Sequence, residues 1–166
     1  MILRQKQFLR YNIRVIELDA TDRKILNLLQ AEGRMTNADL AERIHLSPSA
    51  CLRRVRRLED EGVIEGYAML VDQAAIGRPA NVFVEITIDS QSEESLAAFE
   101  AAVGECPDVM ECYLMSGDAD YLLRVVAADT ADYERVHKIL VRLPGLARTR
   151  SSFVLRTVSK KTAYEL

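Results

Sequence analysis

The residues from Thr36 to Gly62, TNADLAERIHLSPSACLRRVRRLEDEG, place two helix starts within a dozen positions of each other. Thr36 can cap a first helix, with Asp39 three residues on as a short capping box. Leu40, Ala41 and Ile44 then share one face at helical spacing. His45 and Leu46 form a turn. Ser47 is a second cap, and Pro48 stands at the first helical position, where its missing N–H costs little. The second helix is predicted from Pro48 to about Asp60, closing toward Gly62. Two capped helices separated by so short a turn constrain this part of the chain to a helix-turn-helix.

Advancing about 100° per residue divides the second helix into two faces. Cys51, Leu52, Val55 and Leu58 fall on one side and are expected to pack on earlier helices. Ser49, Ala50, Arg53, Arg56 and Arg57 fall on the other. Arg53 and Arg57 lie near the centre of that arc, with Arg54 and Arg56 at its edges. In a recognition helix, central positions near the N-terminus reach base edges and flanking arginines grip phosphates. An arginine can donate two hydrogen bonds to guanine O6 and N7. Ser49 suits a base or a phosphate, and Ala50 a thymine methyl. The candidate DNA-binding residues are therefore Ser47, Ser49, Ala50, Arg53, Arg54, Arg56 and Arg57. Arginine-rich helix faces also occur as plain solvated surfaces. The capped helix before this one and its Ser-Pro start favour DNA. Cys51 reads as a small core residue.

The flanking residues extend the motif to a winged helix-turn-helix. Asp19 is a helix cap, Ile25, Leu26, Leu28 and Leu29 supply an apolar stripe, and Gly33 marks the stop. Gly62–Tyr67 followed by Ala68–Val71 is expected to form a hairpin, the wing.

Charge separates the two halves of the chain. Residues 1–66 carry 12 Lys/Arg against 10 Asp/Glu, and residues 67–166 carry 10 against 15, which gives the total of −3. An acidic chain can still bind DNA when its positive charge is gathered on one face. Nearly half of the 166 residues are hydrophobic, enough for one mid-sized or two small cores. No apolar run approaches the roughly 20 residues of a membrane span. The N-terminus lacks the apolar core and cleavage site of a signal peptide. Three cysteines, odd in number and without metal spacing, fit reduced thiols in a cytoplasm.

A linker is expected around Asp72–Ala80, where Gly77-Arg78-Pro79 interrupts the pattern. Val82–Ile88 then alternates as a strand, and Ser92–Gly104 has helical spacing through Leu96, Phe99 and Val103. Val109–Met115 and Tyr121–Ala127 read as a hairpin closed by Ser116–Asp120. Asp129–Leu143 reads as a helix stopped by Pro144-Gly145, and Ala147–Val158 as the last strand. The order β-α-β-β-α-β is the ferredoxin-like plan. The fold class expected is α+β, a winged helix-turn-helix followed by a ferredoxin-like domain. By itself that plan does not name a function.

From Leu18 onward the chain resembles the Lrp/AsnC, or feast/famine, family of bacterial and archaeal transcriptional regulators. The resemblance rests on LDATDRKILNLLQ, LSPSACLRRVRRLEDEGVIEGY, MSGDADYLLRV and LPGLARTRSSFVLRTV. It implies pairing through the sheets of the C-terminal domains to a homodimer, with assembly to octamers or larger. It implies double-stranded promoter DNA as a partner. It implies a small effector, typically an amino acid, bound between dimers near a GDxDY-type loop, and no other cofactor. Carried onto this chain, the effector residues are Ser116, Gly117, Asp118, Asp120 and Tyr121, with Thr149 and Ser151 on the last strand. Gly117 permits close approach of a ligand to backbone, and an aspartate accepts hydrogen bonds from an ammonium group. Amino-acid metabolism is the sphere of control that the resemblance implies.

The same loop residues are also ordinary hairpin chemistry. On that reading Asp118 and Asp120 order the turn and Tyr121 packs. No histidine or third carboxylate stands close in sequence, so no metal site is expected. His45 and His137 have no nucleophile nearby in sequence, and no phosphate-cradling glycine loop occurs, so no enzyme is expected. Two rivals remain: an amino-acid-binding regulatory subunit of a metabolic enzyme, and a winged-helix module for protein contacts. The first leaves the arginines of 53–57 unexplained, and the second predicts no salt-sensitive DNA binding.

The expected boundaries are an N-terminal extension over 1–17, the winged helix-turn-helix over 18–66, wing and linker over 67–80, and the effector-binding and oligomerisation domain over 81–166. The extension departs from the family pattern and carries Arg4, Lys6, Arg10 and Arg14. It reads as a solvated, partly ordered tail. Contact with DNA phosphates or a neighbouring subunit, or a true start further downstream, are the alternatives.

Overall fold

The computed structural model describes residues 16–166. The readings made for Met1–Val15 lie outside them. The described residues form two compact units, a head that runs to Met69 and takes in Lys160–Leu166, and a second unit of Leu70–Ser159.

The head is built on three helices, α1 (Ala20–Ala31), α2 (Asn37–Arg43) and α3 (Pro48–Asp60). Each start is capped by a residue whose side-chain oxygen accepts a hydrogen bond from a first-turn N–H. Asp19 caps α1 and forms a full capping box with Asp22. Thr36 accepts from the Asp39 N–H and donates its own hydroxyl to the Asp39 carboxylate. Ser47 accepts from the Ala50 N–H.

The turn between α2 and α3 is a Schellman closure. The Leu46 N–H donates to the Ala41 carbonyl and the His45 N–H to that of Glu42. His45 takes the left-handed position with φ 57°, which a non-glycine residue adopts at some cost. The same closure ends α3, with Gly62 at φ 75° and the Val63 N–H on the Leu58 carbonyl. Asn37 also donates from its side chain to the Pro48 carbonyl, tying α2 to the start of α3. Ile25, Leu26, Leu40, Ala41, Cys51 and Leu58 are buried together as one small core, with Val63 and Ile64 packed on it.

Three expectations for the head change. No strand is formed over residues 62–71, so the hairpin expected as the wing is not paired; the Tyr67 hydroxyl instead donates to Glu59 on α3. Leu52, expected to pack inward, is 37% exposed. The C-terminal residues, expected to belong with the second domain, lie on α1. Gln30 donates to the Tyr164 carbonyl and accepts from the Tyr164 N–H, and Asn27 donates to the Leu166 carbonyl.

The second unit follows the expected order: β1 (Ala80–Ile88), α4 (Glu93–Gly104), β2 (Val109–Leu114), β3 (Tyr121–Ala127), α5 (Thr130–Leu140) and β4 (Leu146–Phe153). The sheet is antiparallel throughout, in the order β2-β3-β1-β4. Alternation decides its two faces. Val82, Val84, Ile86, Tyr121, Leu123 and Val125 point to one face, where Phe99 and Val103 of α4 and Tyr133, Val136 and Leu140 of α5 cover them. The other face presents Phe83, Glu85, Tyr113, Leu122 and Arg124, with Phe83 and Tyr113 among the exposed apolar side chains.

The last strand stops at Phe153, five residues earlier than expected. β1 supplies pairing partners only as far as Val82 opposite Phe153, and one further bond joins the Val154 N–H to the Asn81 carbonyl. Beyond it Leu155 and Val158 are exposed. The stretch expected as a linker is a compact turn. Asp72 accepts from the Ala75 N–H, Gly77 takes φ 73°, and Arg78 pairs with the buried carboxylate of Asp108, which also holds Arg135 of α5.

Candidate nucleic-acid interface and effector loop

The four arginines of α3 divide into two pairs. Arg54 donates to Asp19 at 2.7 Å and to Asp22 at 2.8 Å, and Arg57 donates to the second oxygen of Asp22. Arg53 and Arg56 are exposed and have no ion-pair or hydrogen-bond partner among the described residues. Ser49, Leu52, Arg53, Arg56, Arg57, Asp60 and Glu61 line one concave patch along α3. Ser47 is engaged as the cap and lies 3.2 Å from the Ser49 hydroxyl, and Ala50 is half-buried.

Of the arginines expected to face outward, Arg54 and Arg57 are therefore turned toward α1. The physical reason is Asp22. Its side chain is 1% exposed, and a buried carboxylate needs cationic partners. Asp19 belongs to the same network. The backbone N–H of Asp22 and then the Arg54 guanidinium hold its carboxyl down at about 2. These two acids were missed as partners of α3. One signal was available: Asp22 stands three and four residues before Ile25 and Leu26, on the buried stripe of α1, where an acid is out of place without a partner.

The loop between β2 and β3 also divides. Ser116, Gly117 and Asp118 are exposed. Asp120 is turned into the fold. One carboxylate oxygen accepts from the Ile88 N–H at 2.9 Å, the other accepts from Gln91 at 2.6 Å, and its own N–H donates to the Ile86 carbonyl. Tyr121 is buried on the helix-covered face, its ring stacked on Phe99 with centroids 4.5 Å apart, and its hydroxyl donates to Glu100. Burial, reinforced by that carboxylate, pushes its phenol well above the usual range. Asp120 and Tyr121 thus have the turn-ordering and packing roles that ordinary hairpin chemistry offered.

Thr149 and Ser151 on β4 lie on the same helix-covered face. Ser151 shares a hydrogen bond with the Tyr133 hydroxyl, and Thr149 approaches the His137 ring at 3.5 Å. Asp118 adds an attraction to Arg150 on β4, whose main partner is Glu85. The structure gathers Ser116, Gly117 and Asp118 at the exposed tip, and separates them from Tyr121, Thr149 and Ser151, which face α4 and α5.

Two family models match this chain. Residues 18–65 match a winged helix-turn-helix DNA-binding domain, and residues 81–164 match the Lrp/AsnC ligand binding domain. The chain is 42% identical over 148 residues to the Bkd operon transcriptional regulator of Pseudomonas aeruginosa, covering 89% of this chain and 97% of that one. It is 42% identical over 145 residues to the leucine-responsive regulatory protein of Salmonella typhimurium, covering 87% and 88%. Among solved structures, a transcriptional regulator from Neisseria meningitidis in complex with L-Met superposes with a TM-score of 0.83 at 36% identity, over 89% of this chain and 96% of that one. An AsnC family transcriptional regulator from Agrobacterium tumefaciens gives 0.84 at 38% identity, over the same shares.

Together these define the class as a DNA-binding transcriptional regulator with a separate ligand-binding domain, not an enzyme. The chain belongs to the Lrp/AsnC family. DNA and a small-molecule effector are its partners. No helix among the described residues is long and apolar enough to cross a membrane.

Proposed function

We propose that this protein reads promoter DNA as a homodimer or larger assembly in the cytoplasm and adjusts that binding to an amino acid, in control of amino-acid metabolism. The observation that carries the reading is the pair of unpartnered guanidiniums, Arg53 and Arg56, on the exposed side of a capped recognition helix. Arg53, with Ser49 and Ala50 toward the helix N-terminus, contacts base edges, and Arg56 contacts phosphate. Ser47 holds the helix start in place. Arg54 supports the surface from behind through Asp19 and Asp22, and Arg57 stands at its edge, tied to Asp22.

The division of labour follows the two units. The head binds DNA, and the residues from about 81 bind effector and partner subunits. The helix-free face of the sheet, with Phe83, Tyr113 and Leu122, is the surface for pairing with a second copy. The exposed tip Ser116–Asp118 meets the effector, while Asp120 and Tyr121 hold the tip in position. An amino acid is supported as the effector by relatives named for leucine and by the neighbour bound to L-Met. An amino acid's ammonium group suits the Asp118 carboxylate.

The test is binding of the purified protein to DNA upstream of its own gene, across a salt series, against a random duplex, with and without each common amino acid. Specific, salt-dependent binding altered by one amino acid is the expected result, and it names the effector. No preference over random DNA, together with binding of an amino acid, would replace this reading with that of a regulatory subunit.

A further inference from the structure

Asp22 is the one strongly buried carboxylate among the described residues of the head. Its two oxygens accept from Arg54 at 2.8 Å, from Arg57, and from the Asp19 N–H at 3.2 Å. A carboxylate has about four acceptor positions, so most of its capacity is filled by these donors. Removing a partner from a buried charge leaves that charge uncompensated. A DNA phosphate that drew Arg57 outward would therefore compete against Asp22. No comparable hold acts on Arg53 or Arg56.

We propose that Asp22 is a positioning residue for DNA reading: by holding Arg54 and Arg57 against α1, it limits the recognition helix to two free guanidiniums and fixes the rotation of α3 on α1. The inference rests on the DNA-binding reading above. Its consequence is selectivity. Non-specific affinity comes from neutralised phosphates, and specificity is the ratio of specific to non-specific binding. Two arginines withheld from phosphates lower the non-specific term, while Arg53 remains free to read a base.

The experiment uses the full chain, the upstream DNA and a random duplex, and reads the slope of log binding constant against log salt. Asp22→Asn keeps the shape of the side chain and removes its charge. The slope on random DNA is expected to steepen by about 0.9 for each arginine released, up to about 1.8 in all. The preference for upstream DNA falls with it. Adding Arg57→Gln to Asp22→Asn returns about 0.9 of that slope. In the parent chain, Arg56→Gln flattens the slope by about 0.9, whereas Arg57→Gln changes it much less.

A folded Asp22→Asn protein with the parent slope and preference overturns the proposal. If Asp22→Asn does not fold, the comparison of Arg56→Gln with Arg57→Gln decides, and equal flattening by the two overturns it. Absence of salt-dependent DNA binding in the parent protein removes the DNA reading itself and this inference with it. That failure is seen before any variant is made, so the two failures are distinct.

Discussion

Helix α3 keeps Arg53 and Arg56 in solvent and places Arg54 and Arg57 on acids of α1, whereas the β2–β3 loop keeps Asp118 in solvent and turns Asp120 and Tyr121 into the fold. Both segments alternate between outward and inward polar groups, but for different geometric reasons. On the helix, each residue turns by about 100°, so Arg53 and Arg54 enter different surroundings, while Arg57 leaves the helix between them and reaches back to Asp22 from an exposed position. In the hairpin the turn per residue is about 180°, and Tyr121 falls in line with Leu123 and Val125 under the helices. The paired arginines of α3 sit at the rim of a small core, Arg57 still 43% exposed. The inward residues of the loop are built into the larger core or capped by backbone. Substitution is therefore expected to alter binding at α3 and folding at the loop.

The largest expected effect tests the loop half of that contrast. Tyr121→Ala removes a buried aromatic stacked on Phe99, and is expected to cost about 3–5 kcal/mol, as for other large aromatics cut to alanine. Urea unfolding monitored by circular dichroism measures it. A loss well under 1 kcal/mol with a changed effector response would return Tyr121 to the effector site.

A smaller effect is expected for Asp120→Ala. It leaves the Ile88 N–H without its acceptor in a largely buried position, at about 1–3 kcal/mol. The same unfolding experiment reads it. If stability holds and only the effector response is lost, Asp120 acts on ligand and the contrast between helix and loop fails.

The smallest effect sharpens the helix half. In the folded head the Asp19 carboxyl is held at about 2, below its ordinary 3.8. A depressed carboxyl stabilises above its unfolded value and loses that contribution as pH falls through its folded value. Asp19→Asn keeps a capping side chain but no charge. The parent protein should be the more stable at pH 7, and the difference should shrink as pH drops from about 4 toward 2. Amide exchange in α1, followed against pH in both proteins, checks this. A difference that does not change with pH would show that the charge of Asp19 contributes nothing to α1.

Much of the fold was legible because its signals are local. Asp19, Thr36 and Ser47 each cap the helix expected of them, and the helices expected from Ser92 and Asp129 start one residue later with those residues as their caps. Alternation in Val82–Ile88 matched the strand and its buried face, and Tyr121–Ala127 formed the strand expected of it. The failures fall where the deciding partner is distant in sequence. The last strand stops at Phe153, where its register with β1 ends at Val82 and one further bond to Asn81 closes the pairing, although the alternating pattern runs on. The segment after Gly62 has alternation enough for a hairpin but forms no strand pair in this chain.

The candidate site shows the same boundary. Residue types and spacing singled out the capped helix with its four arginines, and the resemblance to the Lrp/AsnC family singled out the Gly-Asp-Ala-Asp-Tyr turn. Which arginines are free, and which aspartate is spent on the fold, they did not say. Arg54 and Arg57 meet carboxylates 32 and 35 residues earlier, and Asp120 meets Ile88 and Gln91 at separations of 32 and 29. Caps, periodicity and turn chemistry act over three or four residues, so the linear order of the chain determined them. The pairing of a charge depends on what packing brings within about 3 Å of it, and only the tertiary structure decided that.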